Sequence, residues 1–233
     1  VQKELEPRFD KIVKKLEKDL STPEKQCLYL ITQTALRIGD KVDKTTKNTA
    51  YGASTLLGKH VKVKGNTITL NFIGKKGVEQ KHTLENAALA KVMKNKKPDE
   101  PVFDTNAEKV RLIWREIGGS EKVHDIRSLI ATRLAKGVVK KAEKPTTQKE
   151  LNALKKEAAE TAAKKLGNNP SESLATYIDN SVFPELNFEE SAVEKPDVVY
   201  TEKDSEEGFV LRLPKDENKA WQYVLKLRRD KND

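Results

Sequence analysis

Apolar residues recur at helical spacing over residues 3–20, where Leu5, Phe9, Ile12, Leu16 and Leu20 stand between Lys and Glu. That period predicts an amphipathic helix. Ser21 or Thr22 caps a second one, with Pro23 and Glu24 in its first turn and an apolar face through Cys27, Leu30, Ile31, Thr34 and Leu36. Gly39 is the expected stop. The period then falls to two. Residues 60–64 alternate, Gly65-Asn66 turns the chain, 67–73 alternate again, and Gly74-Lys75-Lys76-Gly77 makes a second turn before 78–84. This predicts a small antiparallel sheet of about three strands. Helical spacing returns over 86–94, over 106–117 up to Gly118-Gly119, and from near Ser120 through 123–136. A long Ala/Lys/Glu-rich helix follows over 147–166, with Gly167 suited to a left-handed cap. Asn169-Pro170-Ser171-Glu172 restarts a helix, with Leu174, Tyr177 and Ile178 on one face. The fold class is α+β, mainly helical.

After Phe183 the composition shifts. Residues 185–207 hold nine acids and two bases and read as a solvated acidic linker. Residues 208–213 suit a strand and 215–228 a helix, a small C-terminal extension or the start of another domain. The expected division is therefore 1–184, 185–207 and 208–233.

Charge changes the picture next. The 233 residues carry 45 bases and 36 acids, a net +9. From Glu185 onward acids outnumber bases by 13 to 9, so the positive excess lies entirely in the preceding body. A basic body fits a polyanionic partner, nucleic acid first. Cys27, the single cysteine, excludes an internal disulfide and sits in an apolar run, where a thiol packs as a small hydrophobe. No apolar run approaches membrane-spanning length, and no secretory leader is visible at the start. Val1 in place of Met points to a fragment of a larger polypeptide or assembly.

Cutting a DNA strand without a metal sets clear chemical requirements. Positioned cations must meet the charge of a pentavalent transition state, and Arg can grip two phosphate oxygens at once. A nucleophile must attack in line, and an acid must protonate the departing sugar oxygen. Four segments bear on these needs. The first is Ala35-Leu36-Arg37-Ile38-Gly39 with Tyr51-Gly52-Ala53-Ser54-Thr55-Leu56-Leu57-Gly58-Lys59-His60-Val61. The second is Phe72-Ile73-Gly74-Lys75-Lys76-Gly77-Val78. The third is Val123-His124-Asp125-Ile126-Arg127, where helical spacing lets His124 and Arg127 address one phosphate. The fourth is Leu166-Gly167-Asn168-Asn169-Pro170 followed, nine positions after Asn168, by Tyr177.

In this order and at these separations the segments resemble the catalytic domain of type IB DNA topoisomerases, above all the small viral and bacterial members, over residues 3–184. That fold is shared with tyrosine recombinases. The resemblance implies phosphate-binding arginines at Arg37 and Arg127, a general-acid Lys at Lys75 with Lys76 beside it, a phosphate contact at Asn168 and the nucleophile at Tyr177. A lone Tyr on an apolar helical face reads as core packing; its offset from Asn168 and the upstream segments reverse that. The chain departs from its relatives at His124, where they usually carry Lys. His-x-x-Arg is the recombinase pattern, and His124 either donates to the phosphate, shares the acid role, or bonds backbone at a helix start. Lys59, His60 and Lys62 are candidate DNA contacts along with Lys76, although a solvated strand face also accounts for them.

The implied function is nicking and resealing of double-stranded DNA through a 3′-phosphotyrosyl link, relaxing supercoils with no ATP, metal or other cofactor. The implied setting is intracellular, in cytoplasm or nucleus or with a virion, and not a membrane. The N-terminal clamp domain of the family is expected to be absent. Two alternatives stay open: a tyrosine recombinase or integrase, and a non-catalytic DNA-binding module that keeps the fold.

Overall fold

The computed structural model describes residues 2–40, 49–118 and 122–185. The acidic stretch and the extension expected beyond residue 185 lie outside the described residues. The first helix, α1 (Gln2–Lys18), turns Leu5, Phe9, Ile12 and Leu16 inward. The second, α2 (Pro23–Thr34), starts where the sequence predicts: the Thr22 hydroxyl accepts from the Lys25 N–H, and Pro23 takes the first position. Cys27, Leu28, Leu30 and Ile31 are fully buried on it.

The end of α2 differs from the expectation. It stops at Thr34, well before Gly39, because Ala35 adopts a left-handed conformation with φ 58°. That conformation costs a residue bearing a Cβ about 1–2 kcal/mol. Residues 35–40 then run non-helical past the body. Two short 3₁₀ turns follow, over Ala53–Thr55 and Gly58–His60. Strands β1 (Val61–Lys64), β2 (Thr67–Ile73) and β3 (Glu79–Glu85) form the expected antiparallel sheet in the order β1-β2-β3. Its register pairs Val61 with Leu70 and Phe72 with Gln80. Ile68, Leu70 and Phe72 point from β2 into the core.

Helices α3 (Ala87–Met93) and α4 (Ala107–Gly118) complete the first hydrophobic cluster, which α1, α2 and the sheet share with the start of α5 (Val123–Lys141). The expected beginning of α5 near Ser120 lies outside the described residues. Helix α6 (Gln148–Leu166) is capped as a box by Thr147 and Glu150 and ends on Gly167 at φ +63°. Helices α5 and α6 then pack a second cluster: Ala131, Ala135, Ala158, Ala162 and Leu166 against Tyr177, Ile178 and Phe183. The small residues let the two helices approach closely. Helix α7 (Pro170–Glu172) widens into a π-turn over Ser173–Tyr177, closed by an Ile178 N–H to Ser173 carbonyl bond of 3.1 Å.

Candidate active site

The site gathers where the two clusters meet, and Arg127 is its centre. This side chain is 2% exposed on the first turns of α5. Its guanidinium donates to the Ala35 carbonyl, to the Leu166 carbonyl at 3.1 Å and to Asn168 Oδ1 at 3.3 Å. These partners are neutral: among the described residues no carboxylate forms a salt bridge with it. Burial pushes its pKa below the ordinary Arg value; Arg37 acts in the same direction, while Tyr177 and Glu172 oppose it. Arg still carries its proton at neutral pH. The early stop of α2 now has a reason, since the left-handed Ala35 offers its carbonyl to Arg127.

Arg37 is set beside it by backbone bonding. The Arg37 and Ile38 carbonyls accept from the Ala53 and Ser54 N–H groups at 2.9 and 2.8 Å, and the Ser54 hydroxyl donates to the Gly39 carbonyl at 2.6 Å. A Cβ on Gly52 would stand 2.6 Å from the Gly39 backbone, so this contact requires glycine. The two stretches that carry the first motif are thus one physical unit, a clamp on the Arg37 backbone. The Arg37 Nη2 reaches Asn168 Oδ1 at 3.3 Å and Glu172 Oε1 at 3.4 Å.

Asn168 lies between the two arginines, and its orientation follows from chemistry. A guanidinium only donates, so the Asn168 atom facing both must be the oxygen. The amide nitrogen, Nδ2, is then left as a buried donor with no partner among the described residues. Arg127 Nε is in the same condition. Buried donors without acceptors are unusual, and two beside a pair of cations make a cradle for an anion.

Tyr177 is 2% exposed and rests against this cradle. The Arg127 Cζ stands 5.0 Å from its ring centroid, the Arg37 Cζ 5.9 Å, and the His124 ring 5.2 Å at 30°. The Tyr177 backbone is tied to α5 through its carbonyl, which accepts from the Thr132 hydroxyl at 3.3 Å. π-turns of this kind occur often at functional positions. His124 is exposed on its outer side. Partial burial holds its pKa below the ordinary His value, with Arg127 and Arg37 adding to that and Asp125 opposing.

Lys75 and Lys76 are exposed at the tip of the β2–β3 hairpin, Lys76 in a left-handed conformation with φ 63°. Both border a cleft of about 290 Å³ that Arg37, Asn168 and Glu172 also line. Four of the sequence-nominated residues thus share one opening; Arg127 joins them through its bond to Asn168, and Tyr177 through its ring contact with Arg37, while His124 touches the group only through the Tyr177 ring.

The outer candidates fare differently. Lys62 is exposed on β1. Lys59 is exposed and paired with Asp99 at 3.2 Å. His60, nominated as a DNA contact, is instead 9% exposed. Its Nδ1 accepts the Leu57 N–H at 3.1 Å, and its ring packs edge-on against Tyr51 with centroids 4.3 Å apart. Burial and Lys59 lower its pKa. The ring holds the 58–60 turn through this bond.

Three contributors escaped the sequence reading as members of the site. Glu172 was seen only as a helix-start acid, and it faces Arg37. Ser173, fully buried on the turn that carries Tyr177, has a hydroxyl with no partner among the described residues. Gln80 occupies an inward position of β3 at 7% exposure and donates from Nε2 to the Gly167 carbonyl at 3.0 Å. A polar residue at an inward strand position was the available clue. Among the described residues no helix is long and apolar enough to cross a membrane.

A family model described as eukaryotic DNA topoisomerase I, catalytic core, matches residues 2–187. No curated protein matches the chain.

Proposed function

The chain belongs to the DNA topoisomerase I catalytic-core family, and from that premise we propose that it opens and reseals one strand of duplex DNA through Tyr177. The observation that carries this reading is the arrangement of one tyrosine ring against two guanidiniums, joined by an asparagine whose amide nitrogen is a buried donor with no partner among the described residues. In the proposed reaction the Tyr177 oxygen attacks phosphorus and its phenolic proton leaves to solvent. The bond from phosphorus to the 5′-oxygen breaks, and Lys75 gives that oxygen a proton. Arg37, Arg127 and the Asn168 amide hold the non-bridging oxygens as charge builds on them. The link to Tyr177 conserves the phosphodiester bond energy, so the reverse attack reseals the strand with no ATP and no metal.

The contact of His124 with Tyr177 favours a second reading, a recombinase that exchanges strands between two duplexes. A suicide duplex, whose short cleaved end diffuses away, distinguishes the cases. The proposed function expects a covalent protein–DNA adduct in EDTA that is lost in Tyr177→Phe, together with relaxation of plasmid supercoils. Exchange between two duplexes at one site in place of relaxation supports the recombinase. DNA binding with a steep salt dependence but no Tyr177-dependent adduct removes both enzymatic readings.

A further inference from the structure

We infer that Gln80 is a positioning residue that seats the Lys75 hairpin against the phosphate cradle; the inference rests on the proposed strand-transfer function. Gln80 stands on β3 opposite Phe72, where the hairpin leaves the sheet. Its side chain runs inward between two backbones. On one side is Gly74, the residue before Lys75: a Cβ there would lie 2.9 Å from Gln80 Cγ. On the other is Gly167, the residue before Asn168, where a Cβ would fall inside the Gln80 amide. Glycine at both places lets the side chain fill the gap.

The polar end is fixed as tightly. Gln80 Nε2 donates to the Gly167 carbonyl at 3.0 Å. Since a carbonyl cannot donate, Oε1 must face the other way, toward His82 Nε2 at 3.4 Å. His82 is 8% exposed, and burial together with Lys165 and Arg127 keeps it neutral. In the tautomer with the proton on Nε2, the ring donates to Gln80 Oε1. Both ends of the amide then have partners. The hairpin tip is closed by a bond from the Gly74 N–H to the Val78 carbonyl at 2.8 Å, and Lys76 and Gly77 turn the chain at positive φ. A hairpin docked at its root through Gln80 keeps the Lys75 backbone beside Arg37 and Asn168, which line the same cleft.

The chemistry provides a readout that general loss of structure would not move. A 5′-oxygen needs a proton as it leaves, whereas a bridging sulfur at that position leaves as a thiolate, whose conjugate acid has a pKa of about 8.5. Lys75→Ala should therefore be slow on the oxygen substrate and fast on the sulfur one. The test compares cleavage rates of both suicide duplexes by the full chain, its Lys75→Ala and Gln80→Met variants, and the double variant. Met keeps the volume of Gln and makes neither hydrogen bond. Gln80→Glu, which keeps the shape but replaces the donor facing Gly167, guards against a Met-specific artefact.

The expected result is that Gln80→Met cleaves the oxygen duplex on the order of tenfold to a hundredfold more slowly, the scale of a misplaced reacting group. Most of that loss should vanish with sulfur, and the double variant should be no slower than Lys75→Ala alone. An unchanged rate on oxygen overturns the inference. So does an equal loss on both duplexes that adds to the Lys75→Ala loss, because that marks a purely structural role. Failure of the unsubstituted chain to form any adduct on either duplex removes the strand-transfer reading and this inference with it, a result distinct from a defect confined to the Gln80 variants.

Discussion

Helix α5 carries two arginines six positions apart whose surroundings are opposite. Arg133 is about one-third exposed and faces acids: Nε meets Glu6 Oε1 at 3.0 Å, Nη1 meets Asp10 Oδ1 at 2.5 Å, and Cζ stands 5.1 Å from the Phe9 ring centroid. Arg127 is buried and faces carbonyls and an amide. A buried unpaired cation is costly, and protein folds seldom keep one that has no task. Arg133 clasps α1 to α5, with its charge cancelled where it stands. Arg127 is oriented by neutral acceptors and keeps its charge for something else. Arg37 lies between these extremes, with one carboxylate at 3.4 Å. The contrast separates an arginine that holds the fold from one that the proposed function assigns to a phosphate.

The largest effect should fall on Arg127. Arg127→Ala is expected to slow adduct formation by about two to three orders of magnitude, the loss seen when one preorganised donor to a developing charge is removed. Arg127→Lys should recover little, because a point charge cannot hold Ala35, Leu166 and Asn168 while facing a phosphate. Near-ultraviolet circular dichroism checks that the fold persists. A loss under threefold in Arg127→Ala would dissolve the distinction drawn above.

His82 reports the field of these buried cations. Its pKa is lowered to about 4 by burial first, then by Lys165 and Arg127. In the unfolded chain it returns to about 6.5. Between those values the unfolded state binds a proton that the folded state refuses, so stability is full above pH 6.5 and falls as pH drops toward 4. The loss should reach roughly 3 kcal/mol in urea titrations. His60 and His124, also lowered, act in the same direction. The slope should flatten in His82→Leu and become shallower in Arg127→Ala. A slope indifferent to Arg127 would mean that its charge is screened from the interior.

Arg133→Ala should do the reverse of Arg127→Ala. Exposed ion pairs contribute about 0–1 kcal/mol each, so the clasp is expected to be worth about 1 kcal/mol of unfolding free energy, with the cleavage rate at saturating DNA unchanged. A cleavage defect exceeding the fraction unfolded would show that α1 and the site are coupled.

Much of this arrangement was legible in the sequence, because it rests on local rules. The cap at Thr22, the three-strand alternation and the left-handed Gly167 each follow from chemistry within a few residues. What was not legible depends on partners far along the chain. Nothing in Thr34-Ala35-Leu36 marks a helix end; the break rests on Arg127 taking the Ala35 carbonyl and on Ala53 and Ser54 bonding residues 37 and 38. His60 sits beside alternating lysines and reads as solvent-facing, yet a 3₁₀ turn swings its ring under Tyr51. Gln80 was missed because alternation was read for apolar residues alone. An inward Gln followed two positions later by an inward His marks a polar contact to a backbone that sequence spacing does not reveal.

The smallest expected effect concerns Glu172, and it tests the intermediate position of Arg37. Its carboxylate and Arg37 are both about 29% exposed, so the pair is partly screened by solvent. An arriving phosphate must compete for the same guanidinium and then stand near a carboxylate of like charge. Glu172→Gln removes both penalties and keeps the side-chain shape. DNA binding at low salt should tighten by about two- to fivefold, the range of a partly exposed pair, with little change in the cleavage rate once DNA is saturating. The gain should shrink as salt rises, because screening already weakens the carboxylate. Arg37→Ala supplies the control, since with the guanidinium gone Glu172→Gln should retain only its small repulsive share. If Glu172→Gln instead weakens binding, the carboxylate holds Arg37 in its productive pose, and Arg37 belongs with Arg133 among the arginines that acids position.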